Sequence, residues 1–195
     1  MPAPSRPARR RTARQVALLG ELVALLAAEG FAGFTLDELA LRLRCSKSTL
    51  YALAGSKQEL VVEAVKQYFR DAVVAVEDRV AAADDPRDRL VAYVEAVADH
   101  LKPLSREFMH DLAGFAPAME VYRQNTAAAA DRIRALVSEG VAAGVFRPVH
   151  AAFVAEMVAA TMFEIQRGDL FSRLEMTDSE AYQELGTVLV ASLTA

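Results

Sequence analysis

This chain of 195 residues contains few of the features that many classes of protein depend on. It has one cysteine, Cys45, and no tryptophan, with only nine glycines and seven prolines. A single cysteine excludes an internal disulfide and fits a reducing cytoplasm, which is the expected location. No charge-free apolar run reaches the roughly 18 residues of a membrane span. The start of the chain, rich in Arg and Pro, lacks the apolar stretch of a secretory signal.

Motifs for catalysis and cofactor binding are also missing. The sequence contains no glycine-rich phosphate loop, no nucleophile elbow and no paired carboxylates in a catalytic arrangement. His100 and the pair His110-Asp111 are too sparse and too far apart to predict a metal site. We therefore expect neither an enzyme nor a bound metal or cofactor.

Helical periodicity dominates what is present. Apolar residues make up 53% of the chain and recur at the 3.6-residue spacing of helices, with almost no alternating strand pattern. The sequence predicts an all-α protein of about nine helices. Val16 is expected on the buried stripe of the first helix, and Gly30 is expected to end that helix as a left-handed cap. Caps and breakers place the helices at about 12–29, 36–43, 47–53, 57–82, 86–101, 103–114, 117–143, 149–168 and 180–193.

Charge is divided unevenly along the chain. Residues 1–57 carry nine basic and four acidic side chains, a net charge of +5, whereas the remainder carries −9. A basic front attached to an acidic body indicates that a polyanion is bound at one end only. We expect a flexible basic arm over residues 1–10, followed by a nucleic-acid-binding domain over 11–57 that continues into the helix from 57.

Residues 35–57 carry the most informative pattern. Thr35 followed by Glu38 is a capping-box signature that opens one short helix, and Ser46 is the expected N-cap of the next. The turn between these helices is short. The second helix keeps on its outer side residues that bond phosphate oxygens and base edges, namely Lys47, Ser48, Thr49 and Tyr51. This arrangement is typical of a helix-turn-helix that reads DNA.

With these motifs, residues 11–66 resemble the N-terminal DNA-binding domain of the TetR/AcrR family of transcriptional regulators. The matching segments are 29–31, 34–40, 46–51 and 56–60. The resemblance implies a three-helix helix-turn-helix domain, followed over 58–195 by a helical domain for ligand binding and dimerisation. It also implies that contacts to operator DNA, mainly to its phosphates, come from Thr35, Ser46, Lys47, Thr49, Tyr51 and Lys57.

The chain departs from the family pattern at four positions. Arg44 stands where the family usually has Gly in the turn, and Ser48 replaces a common Gly in the recognition helix. Leu53 and Ala54 occupy positions that are usually His and Phe. We expect Arg44 and Ser48 to face the DNA. We also expect the basic arm to grip a phosphate or the minor groove, the alternative being a soluble tail. The arm residues expected to contact DNA are Arg9, Arg10 and Arg11.

Large, adaptable side chains are concentrated in the body of the chain. Aromatic residues and methionines can line an irregular cavity for an apolar molecule, and they can equally form packed core. The candidate pocket residues are Tyr93, His100, Phe108, Met109, Phe115, Met119, Tyr122 and Phe163.

The last two helices carry more apolar surface than one helical neighbour could cover. Two copies of the pair would form a four-helix interface with two-fold symmetry, and the alternative is an internal core pair in a monomer. The candidate interface residues are Phe153, Met157, Ala160, Tyr182, Leu185 and Leu189.

The expected function is that of a homodimeric, ligand-responsive transcriptional regulator. The resemblance implies a repressor that a small, largely apolar effector releases from double-stranded operator DNA. The alternatives are a small-molecule-binding or interaction module with a weakened DNA-binding domain, and an activator of the same family.

Overall fold

The computed structural model describes residues 11–167 and 176–194. Within these residues the chain forms nine α-helices and no strand, which confirms the all-α class. The helices are α1 (Ala13–Glu29), α2 (Leu36–Arg42), α3 (Lys47–Tyr51), α4 (Lys57–Ala81), α5 (Pro86–Leu101), α6 (Arg106–Gly114), α7 (Ala116–Ala142), α8 (Ala151–Arg167) and α9 (Asp178–Leu193).

Hydroxyl side chains define where most of these helices begin. Each such hydroxyl accepts a hydrogen bond from a backbone N–H in the first turn, which would otherwise lack a partner. The capping residues are Thr12, Thr35, Ser46, Ser56, Ser105 and Thr177. Because a cap needs only residues three apart in sequence, these starting points are encoded locally.

The first of two apolar clusters, here called the front cluster, fills the space between α1, α2, α3 and the first half of α4. Leu22 and Leu39 are fully buried in it, and Leu50 and Leu60 are 1% exposed. The cluster also includes buried residues from α6 and α7, among them Phe108 and Tyr122. The front half of the chain therefore completes its core with side chains from the body.

The second cluster, here called the body cluster, lies between the end of α4 and helices α5, α7, α8 and α9. Leu90 and Leu193 are fully buried in it, and Leu136 and Ile165 are 1% exposed. The long helix α4 contributes to both clusters, with Leu60 in the front cluster and Val76 in the body cluster. A displacement of α4 would therefore change the packing of both clusters.

Several local expectations differ from the structure. Val16 is 57% exposed and does not belong to the buried stripe of α1. Gly30 does end α1, with φ +75° but an extended ψ of −169°, so its cap is not left-handed helical. Helix α6 begins at Arg106 instead of 103, because the Ser105 hydroxyl accepts from the Phe108 N–H. The predicted loop over 169–179 lies largely outside the described residues.

None of the described helices combines the length and the apolar character that crossing a membrane requires.

Candidate functional site

Helices α2 and α3 form the exposed tip of the front half. The Thr35 hydroxyl accepts from the Glu38 N–H (3.2 Å), and the Thr35 N–H donates to the Glu38 carboxylate (2.7 Å). This reciprocal pair is the predicted capping box, and its hydrogen bonds from Thr35 lower the pKa of the Glu38 carboxyl. The Thr35 hydroxyl also donates to the Glu38 carboxylate (2.8 Å), so it already serves the helix start.

The turn between the two helices explains a departure from the family pattern. The Cys45 N–H donates to the Ala40 carbonyl (2.9 Å), and the Arg44 N–H donates to the Leu41 carbonyl (3.2 Å). These two bonds match the Schellman motif, which places a left-handed residue just after the helix. Arg44 occupies that place with φ +48°, a conformation that favours glycine. Arg44 is exposed beside α3, which is consistent with its predicted position facing the DNA.

Helix α3 presents hydroxyls and a lysine to solvent. The Ser46 hydroxyl accepts from the Thr49 N–H (3.2 Å) and lies 2.8 Å from the Thr49 hydroxyl and 2.7 Å from the Ser48 hydroxyl. Leu50 turns inward with 1% exposure, whereas Tyr51 is 51% exposed. The predicted amphipathic arrangement is therefore present, although α3 ends at Tyr51 instead of Leu53.

Two predicted DNA-contacting cations are already paired within the chain. The Lys47 Nζ lies 2.6 Å from the Asp37 carboxylate, and both side chains are exposed. Arg11 lies 2.7 Å from Glu63 on α4. Burial raises the pKa of the Glu63 carboxyl, but the hydrogen bond and charge of Arg11 outweigh it, so that the pKa is lowered overall.

Lys57 and the other arm arginines complete the predicted set. The Lys57 Nζ donates to the Ala32 carbonyl (3.2 Å), which places the start of α4 against the link that follows α1. Arg9 and Arg10 lie outside the described residues. Their role in gripping DNA remains a prediction.

The small core under the tip accommodates its atypical residues. Phe34, Leu53 and Ala54 all pack, partly buried, against the front cluster. Cys45 is also partly buried there, and burial raises the pKa of its thiol. A raised thiol pKa disfavours the reactive thiolate, so Cys45 contributes packing.

A cavity of about 280 Å³ lies in the body between α4, α5 and α7. Of the predicted pocket residues, Tyr93, His100 and Tyr122 line it. A larger, more open groove of about 810 Å³ runs between α5 and α9, and none of the predicted pocket residues lines it. The smaller cavity is the better candidate for ligand binding because α4, which starts beside the tip, forms one of its walls.

The other predicted pocket residues do not line this cavity. Phe108 is 2% exposed in the front cluster. Three other predicted pocket residues between positions 109 and 119 are partly buried and pack against that cluster. Phe163 is 36% exposed on α8 and lines neither this cavity nor the groove between α5 and α9. The three residues that join Phe108 in the front cluster are Met109, Phe115 and Met119.

The cavity walls include groups that the sequence did not single out. Glu77 and Arg132 face each other with two parallel hydrogen bonds, from Nε to Oε1 and from Nη2 to Oε2, both 2.9 Å. The hydrogen bond to Glu77 raises the pKa of the Arg132 guanidinium. Tyr68 and Asn125 also line the cavity. Residues 55 positions apart on two helices leave no sequence signal for such a pairing.

Tyr68 and Tyr93 in the wall of this cavity are uncharged at neutral pH. Burial raises the pKa of Tyr68 to about 12, and burial followed by the nearby Glu77 charge raises the pKa of Tyr93 further. The Tyr68 hydroxyl donates to the His100 carbonyl, and the Tyr93 hydroxyl donates to the Ala129 carbonyl (3.3 Å).

The predicted dimer surface divides into two groups. Phe153 (68% exposed) and Met157 (46% exposed) lie on the outer face of α8, together with Ala160. Tyr182 (5% exposed) and Leu189 (2% exposed) are instead buried in the body cluster of the same chain. Leu185 is partly buried against that cluster. The three residues of α9 therefore face the interior of the single chain, because α9 packs its apolar face on α5.

An interhelical contact that the sequence did not predict joins α6 to the end of α1. The Asp111 carboxylate oxygen Oδ2 accepts from the backbone N–H groups of Phe31 (2.6 Å) and Ala32 (2.7 Å). The Ser105 N–H donates to the Ala27 carbonyl (2.8 Å) in the same region. Among the described residues, no group of three or more His, Cys, Asp or Glu side chains could hold a metal ion.

Comparison with known proteins agrees with this geometry. The family model of bacterial regulatory proteins of the tetR family matches residues 18–64, which span most of α1, the whole tip and the start of α4. The match identifies residues 18–64 as a DNA-binding domain of the tetR family of transcriptional regulators. The proteins that the chain resembles in this domain and in its fold are transcriptional regulators and not enzymes.

Solved structures of transcriptional regulators share the fold over nearly the whole chain. A transcriptional regulator from Saccharomonospora viridis in complex with choline has a TM-score of 0.76 at 18% identity, covering 93% of this chain and 98% of the other. A TetR regulator from Haloarcula marismortui has 0.75 at 17%, with the same coverages. The regulator PfmR from Thermus thermophilus has 0.63 at 22%, covering 91% and 99%. No curated protein sequence matches the chain significantly.

Proposed function

We propose that this regulator is a homodimeric repressor that leaves its operator when a small, largely apolar effector enters the cavity between α4, α5 and α7. Residues 11–57 would form the DNA-binding domain, and 58–195 the ligand-binding and dimerisation domain. The side chains of the tip would contact the DNA, with Lys47, Ser48 and Tyr51 nearest the duplex. Arg44, Ser46 and Thr49 would support them at the start of α3.

The observation that carries the proposal is the path of α4. Its 25 residues span roughly 38 Å at 1.5 Å per residue. At one end Lys57 hydrogen-bonds the link beside the tip, and further along Tyr68 and Glu77 form part of the cavity wall. One rigid element therefore touches both the DNA-binding tip and the cavity.

The outer face of α8 supports a dimer. Phe153 and Met157 leave an apolar surface exposed in the single chain. Pairing this face with its copy would relate two tips by two-fold symmetry. Successive major grooves on one side of B-DNA are about 34 Å apart, so two α3 helices held at that spacing would read a two-fold operator.

Release by an effector requires unequal binding to two states. An effector that favours a dimer with a different spacing between the tips lowers DNA affinity by its preference for that state. The choline complex of the Saccharomonospora viridis relative supports a small-molecule effector for this fold. The apolar lining of the cavity, with Phe69, Val76 and Met162, supports a largely apolar one.

Binding to the DNA upstream of the regulator's own gene tests the first half of this proposal. Fluorescence anisotropy at several salt concentrations should give a steep salt dependence. Lys47→Ala should weaken binding to all sequences and lower the slope of log K against log salt by about 1. Tyr51→Phe, which removes only a hydroxyl, should weaken binding by a smaller factor. Lys102→Ala, an exposed lysine far from the tip in sequence, should leave binding unchanged.

A reporter gene placed behind the bound DNA separates a repressor from an activator. Higher expression on deletion of the regulator supports repression, and lower expression supports activation. If no DNA is bound while small molecules still bind the cavity, the binding-module alternative is favoured.

A further inference from the structure

The charges that line the cavity are already matched. Among the described residues at its walls, Glu77 and Arg132 carry full charges and satisfy each other through the two 2.9 Å hydrogen bonds. A paired guanidinium and carboxylate offer no free charge to a ligand. A carboxylate ligand would have to displace Glu77 from Arg132, and a cation would have to displace Arg132 from Glu77.

The hydroxyl protons of two wall tyrosines already form hydrogen bonds within the chain. Tyr68 and Tyr93 donate to the backbone carbonyls of His100 and Ala129. Their oxygens can still accept a hydrogen bond, but their protons are not available to a ligand. These two hydroxyls therefore offer hydrogen-bond acceptors to an incoming donor.

Two polar side chains at the wall lack a hydrogen-bond partner within the described part of the chain. The Asn125 carboxamide forms no hydrogen bond with any residue of the described part of the chain, although it is half-buried beside apolar wall residues. The His100 imidazole is likewise without a hydrogen bond there. A polar group facing an apolar cavity loses hydration, and a ligand that bonds to it recovers part of that loss.

From these observations we propose that the effector is uncharged and carries a hydroxyl or similar hydrogen-bond donor, which Asn125 recognises. A volume of about 280 Å³ limits it to a small molecule, near the lower end of the roughly 300–1,000 Å³ of ligand pockets. The inference rests on the proposed function in one respect, namely that this cavity is the effector site.

Four probes of equal chain length test the proposed ligand class. They are n-octanol, octyl methyl ether, octanoate and octylammonium. Four of the five tyrosines line the cavity and the chain has no tryptophan, so tyrosine fluorescence reports directly on its occupancy. The measurement uses the full-length protein without DNA. Octanol should bind most tightly. The ether, which cannot donate, should bind about 3- to 10-fold more weakly. Both ions should bind at least about 100-fold more weakly.

Variants assign these preferences to residues. Asn125→Leu and Asn125→Ala should abolish the preference for octanol over the ether, and Gln124→Leu, an exposed neighbour on α7, should preserve it. Glu77→Gln leaves Arg132 without its anionic partner and should raise octanoate affinity by about 10-fold or more. Thermal melting of each unliganded variant shows whether it folds.

Each outcome decides for or against the inference. Octanoate or octylammonium binding as tightly as octanol overturns the uncharged class. An octanol preference that persists in both folded Asn125 variants overturns the recognition role of Asn125. Failure of all four probes to bind overturns the inference together with the effector half of the proposed function. Operator binding, measured separately, would still test the DNA half.

Discussion

Replacement of Gly30 by alanine tests whether the end of α1 is held as the structure shows. Gly30 has φ +75° and ψ −169°, a region that is accessible essentially to glycine alone. A Cβ at this position would lie 2.7 Å from Asp111 Oδ2 and 3.2 Å from two Glu107 atoms. Alanine is therefore strained by its backbone and also pushes away the carboxylate that binds Phe31 and Ala32.

The expected loss of stability follows from three contributions. The backbone conformation costs about 1–3 kcal/mol. Weakening the hydrogen bonds to a charged acceptor costs about 1.5–3 kcal/mol. The smaller entropy of unfolded alanine returns about 0.4–1 kcal/mol. The net destabilisation is about 2–5 kcal/mol. At about 2–4 °C per kcal/mol for a chain of this size, a central value of about 3 kcal/mol lowers Tm by roughly 6–12 °C.

Thermal unfolding followed by circular dichroism provides the measurement, with Gly20→Ala as the matched control. Gly20 lies within the same helix, and a Cβ there meets nothing within 4 Å. Its replacement should raise stability by about 0.5–1 kcal/mol, so the two variants are expected to shift Tm in opposite directions. If Gly30→Ala melts within about 2 °C of the wild type, the contact between Asp111 and the end of α1 is not formed as described.

Three further predictions test the tip and the outer face of α8. Asp37→Asn should tighten DNA binding about 3- to 10-fold in anisotropy titrations at low salt, since it frees Lys47 and removes a carboxylate that repels phosphate; unchanged affinity would show that Lys47 does not face the DNA. Arg44→Gly should be more stable than Arg44→Ala by about 1 kcal/mol in denaturant titrations, because both remove the charge but only glycine relieves the positive φ; equal stability would contradict a left-handed turn. Phe153→Glu should convert a dimer to a monomer in sedimentation, whereas Val74→Glu, at a similarly exposed apolar position on α4, should not; a dimer that survives Phe153→Glu would place the interface elsewhere.

The parts of the site that depend on neighbours in sequence could be predicted from it. The cap at Thr35 with Glu38 and the cap at Ser46 require partners only three residues apart, so their pattern is visible in the chain itself. The inward turn of Leu50 and the exposure of Tyr51 follow from helical periodicity in the same way. The helix starts of the tip and its inward and outward faces were therefore predictable, whereas the end of α3 was not.

The cavity was less predictable because periodicity shows that a side chain faces inward without showing what it meets. Phe108 was expected at the pocket and instead packs against Phe31, with ring centroids 5.9 Å apart. Glu77 and Arg132 carry charges that a sequence pattern assigns to solvent, and only the packing of α4 on α7 brings them together. The sequence predicts Tyr182 at a dimer interface for the same reason, since the packing of α9 on α5 cannot be identified from the sequence.

The packing of aromatic rings joins the cavity to the DNA-binding end without a gap. Tyr122 lines the cavity and also belongs to the front cluster, where it packs edge-on against Phe69 with ring centroids 5.3 Å apart. Tyr68, another wall residue, contacts Phe108, which in turn packs against Phe31 at the end of α1. Because packed interiors do not deform continuously, a ligand that moves one of these rings requires the next to move as well. The same contacts complete the core of the front cluster, so we expect a movement of the cavity wall to change the packing at the DNA-binding end.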